Sequence, residues 1–161
     1  MKKILFIVCC TFFFVINSLA DTKAEEREFI LYAKLPIVPK ISILQISTNL
    51  LKIDKSKFKL KFDIKTLNIV NYISSINGDG LVLGLIKNNN YYPESYKYEY
   101  VRGNKEKSVY LKYYDGKIIE EMFTPEFDKH KLTTVTDEQK VNTIDPATLF
   151  LRLLDINKTN K

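Results

Sequence analysis

Lys57-Phe58-Lys59-Leu60-Lys61-Phe62-Asp63-Ile64-Lys65-Thr66 decides the fold. Apolar side chains stand at every second position, and all the intervening ones are charged until Thr66. Successive side chains of a strand point to opposite faces, so this period of two predicts a half-buried strand with one apolar and one solvated face. The same period extends in both directions. Phe29 to Lys34 and Ile41 to Ile53 read as two earlier strands, separated by Leu35-Pro36-Ile37-Val38-Pro39, whose prolines forbid a continuous ladder. Leu67 to Ile76 suits a short helix as well as a strand. Asn77-Gly78-Asp79-Gly80 has turn composition, Leu81 to Ile86 is a short apolar strand, and Lys87 to Asn90 is another turn.

From Tyr91 to Met122 the pattern is a three-stranded meander holding eight of the ten tyrosines. Tyr96, Tyr98 and Tyr100 share one face, Gly103-Asn104 marks a loop, and Val109, Leu111 and Tyr113 share a face on the return strand. Asp115-Gly116 is a hairpin turn, because both central positions of a type I′ turn need positive φ. Glu126 to Val141 is polar and reads as a surface loop. Asp145-Pro146 starts a helix of about residues 145–154: the carboxylate accepts from free amides, and proline at the first turn loses nothing by lacking an N–H. Ala147, Leu149, Phe150, Leu151, Leu153 and Leu154 surround that helix with apolar groups, which predicts burial on several sides. The expected fold is mainly β: a curved antiparallel sheet or incomplete barrel with one C-terminal helix packed on it, in a single domain over 21–161.

The first twenty residues follow a different logic. Lys2 and Lys3 precede an apolar stretch from Ile4 to Ile16, and Ser18-Leu19-Ala20 supplies the small residues a signal peptidase reads. That stretch of thirteen residues falls short of the about 20 a bilayer span needs. The expectation is a secretory signal peptide cleaved between Ala20 and Asp21, hence an exported protein, with the periplasm as its compartment. Cys9 and Cys10 leave with the leader, so neither a disulfide nor a thiolate metal site is expected in the mature chain. Its charge falls from +6 to +4 with the loss of Lys2 and Lys3. That is mildly basic, and no nucleic-acid partner is expected.

The order Pro93-Glu94-Ser95-Tyr96-Lys97-Tyr98, a basic loop, a return strand, Asp115-Gly116-Lys117 and then Asp145-Pro146-Ala147-Thr148-Leu149 resembles the bacterial domain-of-unknown-function family 3108. The resemblance covers most of the mature chain and implies an exported envelope protein built on a curved antiparallel sheet, distantly like periplasmic lipoprotein carriers. It implies no settled activity and no functional residues. Two departures stand out: Pro36-Ile37-Val38-Pro39 replaces a glycine-containing turn, and the chain stops at Lys161 where the family continues with more strands. A shortened chain with an unpaired sheet edge is therefore expected, and such an edge invites association.

Each chemical motif has a plainer reading. His130, in Asp128-Lys129-His130-Lys131, is the lone histidine, whereas zinc draws three or four ligands. Ser56-Lys57-Phe58-Lys59 fits S-x-x-K, but the S-D-N and K-T-G partners are missing. Glu120 and Glu121 are adjacent and point apart on a strand, and together with Glu126 and Asp128 they read as a solvated edge rather than an acid/base pair. Asn77-Gly78-Asp79-Gly80 lacks the spacing of a calcium loop and of a phosphate loop. No catalytic, cofactor or metal residue is assigned. Lys57, Lys59, Lys61 and Lys65 read as a solvated face, with phosphate tracking as the sharper alternative.

The tyrosine face is harder to leave bare. Each buried aromatic removes about 150 to 250 Å² from water, roughly 4 to 6 kcal/mol gross. A face bearing Tyr96, Tyr98, Tyr100, Val109, Leu111 and Tyr113 exceeds the patch a monomer tolerates, so something covers it. The C-terminal helix or the opposite part of the sheet is one answer; an acyl chain or apolar peptide is the other. The leading functional expectation is a non-enzymatic binding or structural module of the envelope that holds an amphipathic lipid or polypeptide, or an envelope protein, with peripheral contact to a membrane. Two alternatives stay open: a truncated interaction protein docking through its edge or apolar helix, and an unrecognised periplasmic enzyme.

Overall fold

The computed structural model describes residues 24–33, 40–126 and 136–159. The leader with Ala20 and Asp21, the proline-bearing segment 34–39, Asp128 and His130 lie outside the described residues. Seven strands make one antiparallel sheet in which every strand pairs with its neighbour in sequence: β1 (Ala24–Ala33), β2 (Ile41–Lys52), β3 (Lys57–Thr66), β4 (Ile76–Lys87), β5 (Asn90–Arg102), β6 (Lys105–Tyr114) and β7 (Lys117–Thr124). The short helix α1 (Asn68–Ile73) joins β3 to β4, and α2 (Pro146–Thr159) follows the sheet. The sheet does not close. Register slips at Leu31/Tyr32, Leu83/Gly84 and Lys112/Tyr113 insert bulges, which bend the strands and increase their twist.

The register sorts every side chain to one of two faces. Leu50, Leu60, Val82, Tyr96 and Leu111 are paired in one continuous row, and Thr48, Phe62, Gly80, Tyr98, Val109 and Phe123 in the next. These rows form the inner face, where Leu50, Phe58, Leu60, Phe62, Val82, Tyr91, Tyr96 and Tyr113 are buried. The alternation in β3 works as expected: Phe58, Leu60 and Phe62 turn inward and Lys57, Lys59, Lys61 and Lys65 outward.

Asn77-Gly78-Asp79-Gly80 is not a turn; it lies within β4. Neither glycine has a positive φ, so conformational freedom is not what they supply. They supply room. A Cβ on Gly80 would stand 2.1 Å from Cζ of Phe62, and one on Gly84 would stand 2.6 Å from Cε1 of Phe58. Large rings on β3 lie over bare backbone on β4, an arrangement known to compensate glycine in a sheet. The genuine turns are elsewhere: Asn88-Asn89 (φ 50° and 61°) and Asp115-Gly116 (φ 47° and 73°) both carry positive φ at the two central positions.

Two further expectations need correction. β1 begins at Ala24 rather than Phe29, because its charged half pairs with β2 as regularly as its apolar half, and the inward Arg27 and Glu25 form an ion pair. The described part of the polar stretch before α2 is a largely exposed turn, as expected, and is tied to β7: Val141 bridges to Lys117, and Lys140 bonds Glu121 at 3.0 Å. Most consequentially, α2 is not buried on several sides. Leu151 and Thr148 are buried against the sheet, while Leu149 (46% exposed) and Leu153 (52%) face away from it. An open sheet covers only one side of a helix laid upon it.

Candidate binding face

Asp145 and Pro146 fix where α2 begins. Oδ1 of Asp145 accepts from the Thr148 N–H at 2.8 Å and Oδ2 accepts from the Thr148 hydroxyl at 2.6 Å, the N-cap that the sequence predicts. Both residues are buried. Burial holds the Asp145 carboxyl above its ordinary range, with the two Thr148 hydrogen bonds opposing the shift. Further along, Nε and Nη2 of Arg152 donate to the Tyr91 carbonyl at 2.8 and 2.5 Å, and the guanidinium lies 4.9 Å from the Tyr92 ring centroid. Phe150 meets Phe29 of β1 edge to face at 5.0 Å. The helix thus runs along the inner face from Tyr96 and Tyr113 at its start to Tyr91 near its end.

The six residues expected on one apolar face do share it. Tyr96 pairs with Leu111 and Tyr98 with Val109, with Tyr100 and Tyr113 at the ends. They do not share one environment. Tyr96 and Tyr113 are buried under the start of α2, whereas Tyr98, Tyr100, Val109 and Leu111 are half-buried. The expected cover is therefore present over one part of the face and thinner over the other.

The rings form a ladder. Phe62 stacks on Tyr96 at 6.0 Å and on Tyr98 at 5.6 Å, and Tyr98 stacks on Tyr100 at 5.1 Å. Such offset pairs contribute about 0.5–1.5 kcal/mol each beyond area burial. Phe62 is the member that the tyrosine pattern alone misses; its signal is Gly80, whose missing side chain lets the ring lie across β4. Burial raises the phenols of Tyr96 and Tyr113, and the nearby Asp145 carboxylate adds to it. The Tyr98 phenol is raised by burial and then by Tyr100. Burial also pushes Tyr91 up to about 12, reinforced by Asp155, which accepts its hydrogen bond. Nucleophilic phenolates at neutral pH are not what this face offers. It offers aromatic surface with neutral hydroxyls.

The remaining sequence candidates are dispersed. Ser56 bonds Asp54 in the β2–β3 turn, through its amide at 2.6 Å and its hydroxyl at 2.8 Å. Glu120 faces Lys112 at 3.8 Å while Glu121 pairs with Lys140, so the two carboxylates do point apart. Glu126 is exposed. On the outer face, Asp63, Asp79 and Glu99 stand directly opposite one another on β3, β4 and β5, an arrangement that costs stability. Lys97 relieves it at Glu99, 2.8 Å away. A shallow depression of about 570 Å³ lies over these carboxylates. Among the described residues no group of three or more His, Cys, Asp or Glu is placed to hold a metal, and no helix is long and apolar enough to cross a membrane. Compared with protein-family models, curated proteins and solved structures, the chain matches none.

Proposed function

We propose that this chain is an exported, non-enzymatic binding module of the bacterial cell envelope, acting in the periplasm and holding the apolar part of an amphipathic lipid or polypeptide against the open portion of its tyrosine face. The observation that carries the reading is the pair Tyr98 and Tyr100. They are stacked at 5.1 Å and half-exposed beside Val109, where the cover given by α2 thins out. Stacked rings with neutral hydroxyls suit a ligand that is apolar along its length and polar at one end. Relation to the bacterial domain-of-unknown-function family 3108 is part of the proposal and rests on the residues quoted for it.

Gently purified protein should carry bound lipid or peptide on native mass spectrometry, and Tyr98→Ser with Tyr100→Ser should release it. A clean unliganded spectrum from the wild type counts against the reading. A second reading has its own support: Leu149 and Leu153, one turn apart on the outward side of α2, suit an interaction protein whose helix docks on a partner. A stable monomer that loses nothing in pull-down on Leu149→Ser with Leu153→Ser removes it.

A further inference from the structure

Helix α1 turns only Val70 partly toward the protein, and two exposed asparagines tie it down: the Asn68 side-chain amide donates to the Ser42 carbonyl at 2.9 Å and to the Ser42 hydroxyl at 2.6 Å, and the Thr66 hydroxyl donates to Oδ1 of Asn71 at 3.1 Å. The Leu67 N–H donates to the Ile43 carbonyl at 3.0 Å, and the Ile76 N–H to the Thr66 hydroxyl at 3.0 Å. Its large apolar side chains face out: Ile69 is 58% exposed, Tyr72 92% and Ile73 81%. No residue of the helix is buried. A connection between strands is ordinarily polar on its outer side; here the asparagine hydrogen bonds fix the helix with Ile69, Tyr72 and Ile73 held away from the protein.

Four cations surround the helix. Lys40 lies 3.9 Å from the ring centroid of Tyr32, on the strand pair to which Asn68 is bonded. Lys65 is the penultimate residue of β3. Arg102 and Lys105 flank the β5–β6 turn, which is tied to the α1–β4 junction by the Gly103 N–H on the Ser75 carbonyl at 3.2 Å. None of these four cations forms an ion pair among the described residues; Glu106 and Glu126 are the carboxylates at the strand ends, and the Asp63, Asp79 and Glu99 row begins two to three residues further in on the outer face.

We propose that the α1 end of the sheet docks on an anionic lipid surface, Ile69, Tyr72 and Ile73 entering the headgroup boundary while Lys40, Lys65, Arg102 and Lys105 lie over the headgroups. Three apolar groups offer on the order of a few hundred Å², below the about 800 Å² per partner of a stable protein interface. That size argues against a second copy as the occupant. Tyrosine is enriched where membrane meets water, and each basic residue near an anionic surface strengthens attachment severalfold. The proposal does not depend on the tyrosine face holding a ligand.

The chain has no tryptophan, so Tyr72→Trp places a single indole at the tip, and Tyr114→Trp places one at the opposite end of the sheet, where Tyr114 is 75% exposed. Each full-length variant is mixed with vesicles of phosphatidylglycerol and phosphatidylcholine whose acyl chains are brominated, and with vesicles of brominated phosphatidylcholine alone. In Y72W, blue-shifted and quenched emission is expected on the mixed vesicles, with attachment at least about tenfold weaker on neutral vesicles or in high salt. Y114W should show neither change. Unquenched Y72W emission on the mixed vesicles, equal quenching on neutral ones, or equal quenching in Y114W overturns the proposal. So does a vesicle-independent blue shift that grows with protein concentration, which would mean self-association.

Discussion

The two ends of the inner face use the same residue types to opposite effect. Under α2, the rings of Phe58, Tyr91, Tyr96 and Tyr113 are sealed. Towards α1, Tyr98 and Tyr100 are half-covered and Tyr72 stands almost wholly in water. What separates them is the second layer. Hydrophobic burial needs two surfaces, and α2 supplies the second only from Tyr96 and Tyr113 to Tyr91. Aromatic content alone does not distinguish stabilising surface from available surface.

If that contrast holds, stability should be concentrated at the covered end. Phe58→Ala is expected to cost about 3–5 kcal/mol in chemical denaturation, whereas Tyr100→Ala should cost about 1–2 kcal/mol; equal losses would erase the distinction. Gly80→Ala comes next, at about 1–3 kcal/mol, because the new methyl must displace the Phe62 ring. A neutral Gly80→Ala would mean that the ring is not seated on β4.

Asp145 tests the start of the cover. Asp145→Ala removes the N-cap and should cost about 1 kcal/mol. Burial raises the carboxyl above its ordinary 3.8, so the folded chain holds that proton more tightly than the unfolded one. The contribution is fully present below about pH 4 and is lost as pH rises through the folded value. Asp145→Asn keeps a capping oxygen and does not titrate, so its melting temperature should gain on the wild type between acid and neutral pH; a constant difference would exclude the effect. The smallest change is expected at the other end. Tyr72→Ser with Ile73→Ser should alter stability by no more than about 0.5 kcal/mol, despite removing two large apolar groups.

Much of the architecture is legible in the sequence because it is local. Alternation in 57–66, positive-φ residues at Asp115-Gly116 and the Asp145-Pro146 start each carry their own signal. So does the shared face of Tyr96, Tyr98, Tyr100, Val109, Leu111 and Tyr113. The failures depend on partners distant along the chain. Gly78 and Gly80 read as a turn because their role is set by Tyr100 and Phe62 across the sheet. Ring stacking through Phe62, and the division of the tyrosines into covered and open, depend on where α2 comes to rest. Leu149 and Leu153 look like core until one knows that a single sheet, not two, lies against the helix.

The order of the strands has a kinetic corollary. Since β1 to β7 pair strictly with their neighbours in sequence, the sheet can zip up hairpin by hairpin from short loop closures, while α2 must span the separation between Arg152 and Tyr91 to dock. Local contacts of this kind favour rapid assembly. Docking of the helix is then the late event, and weakening its grip should quicken unfolding while leaving the refolding rate almost unchanged.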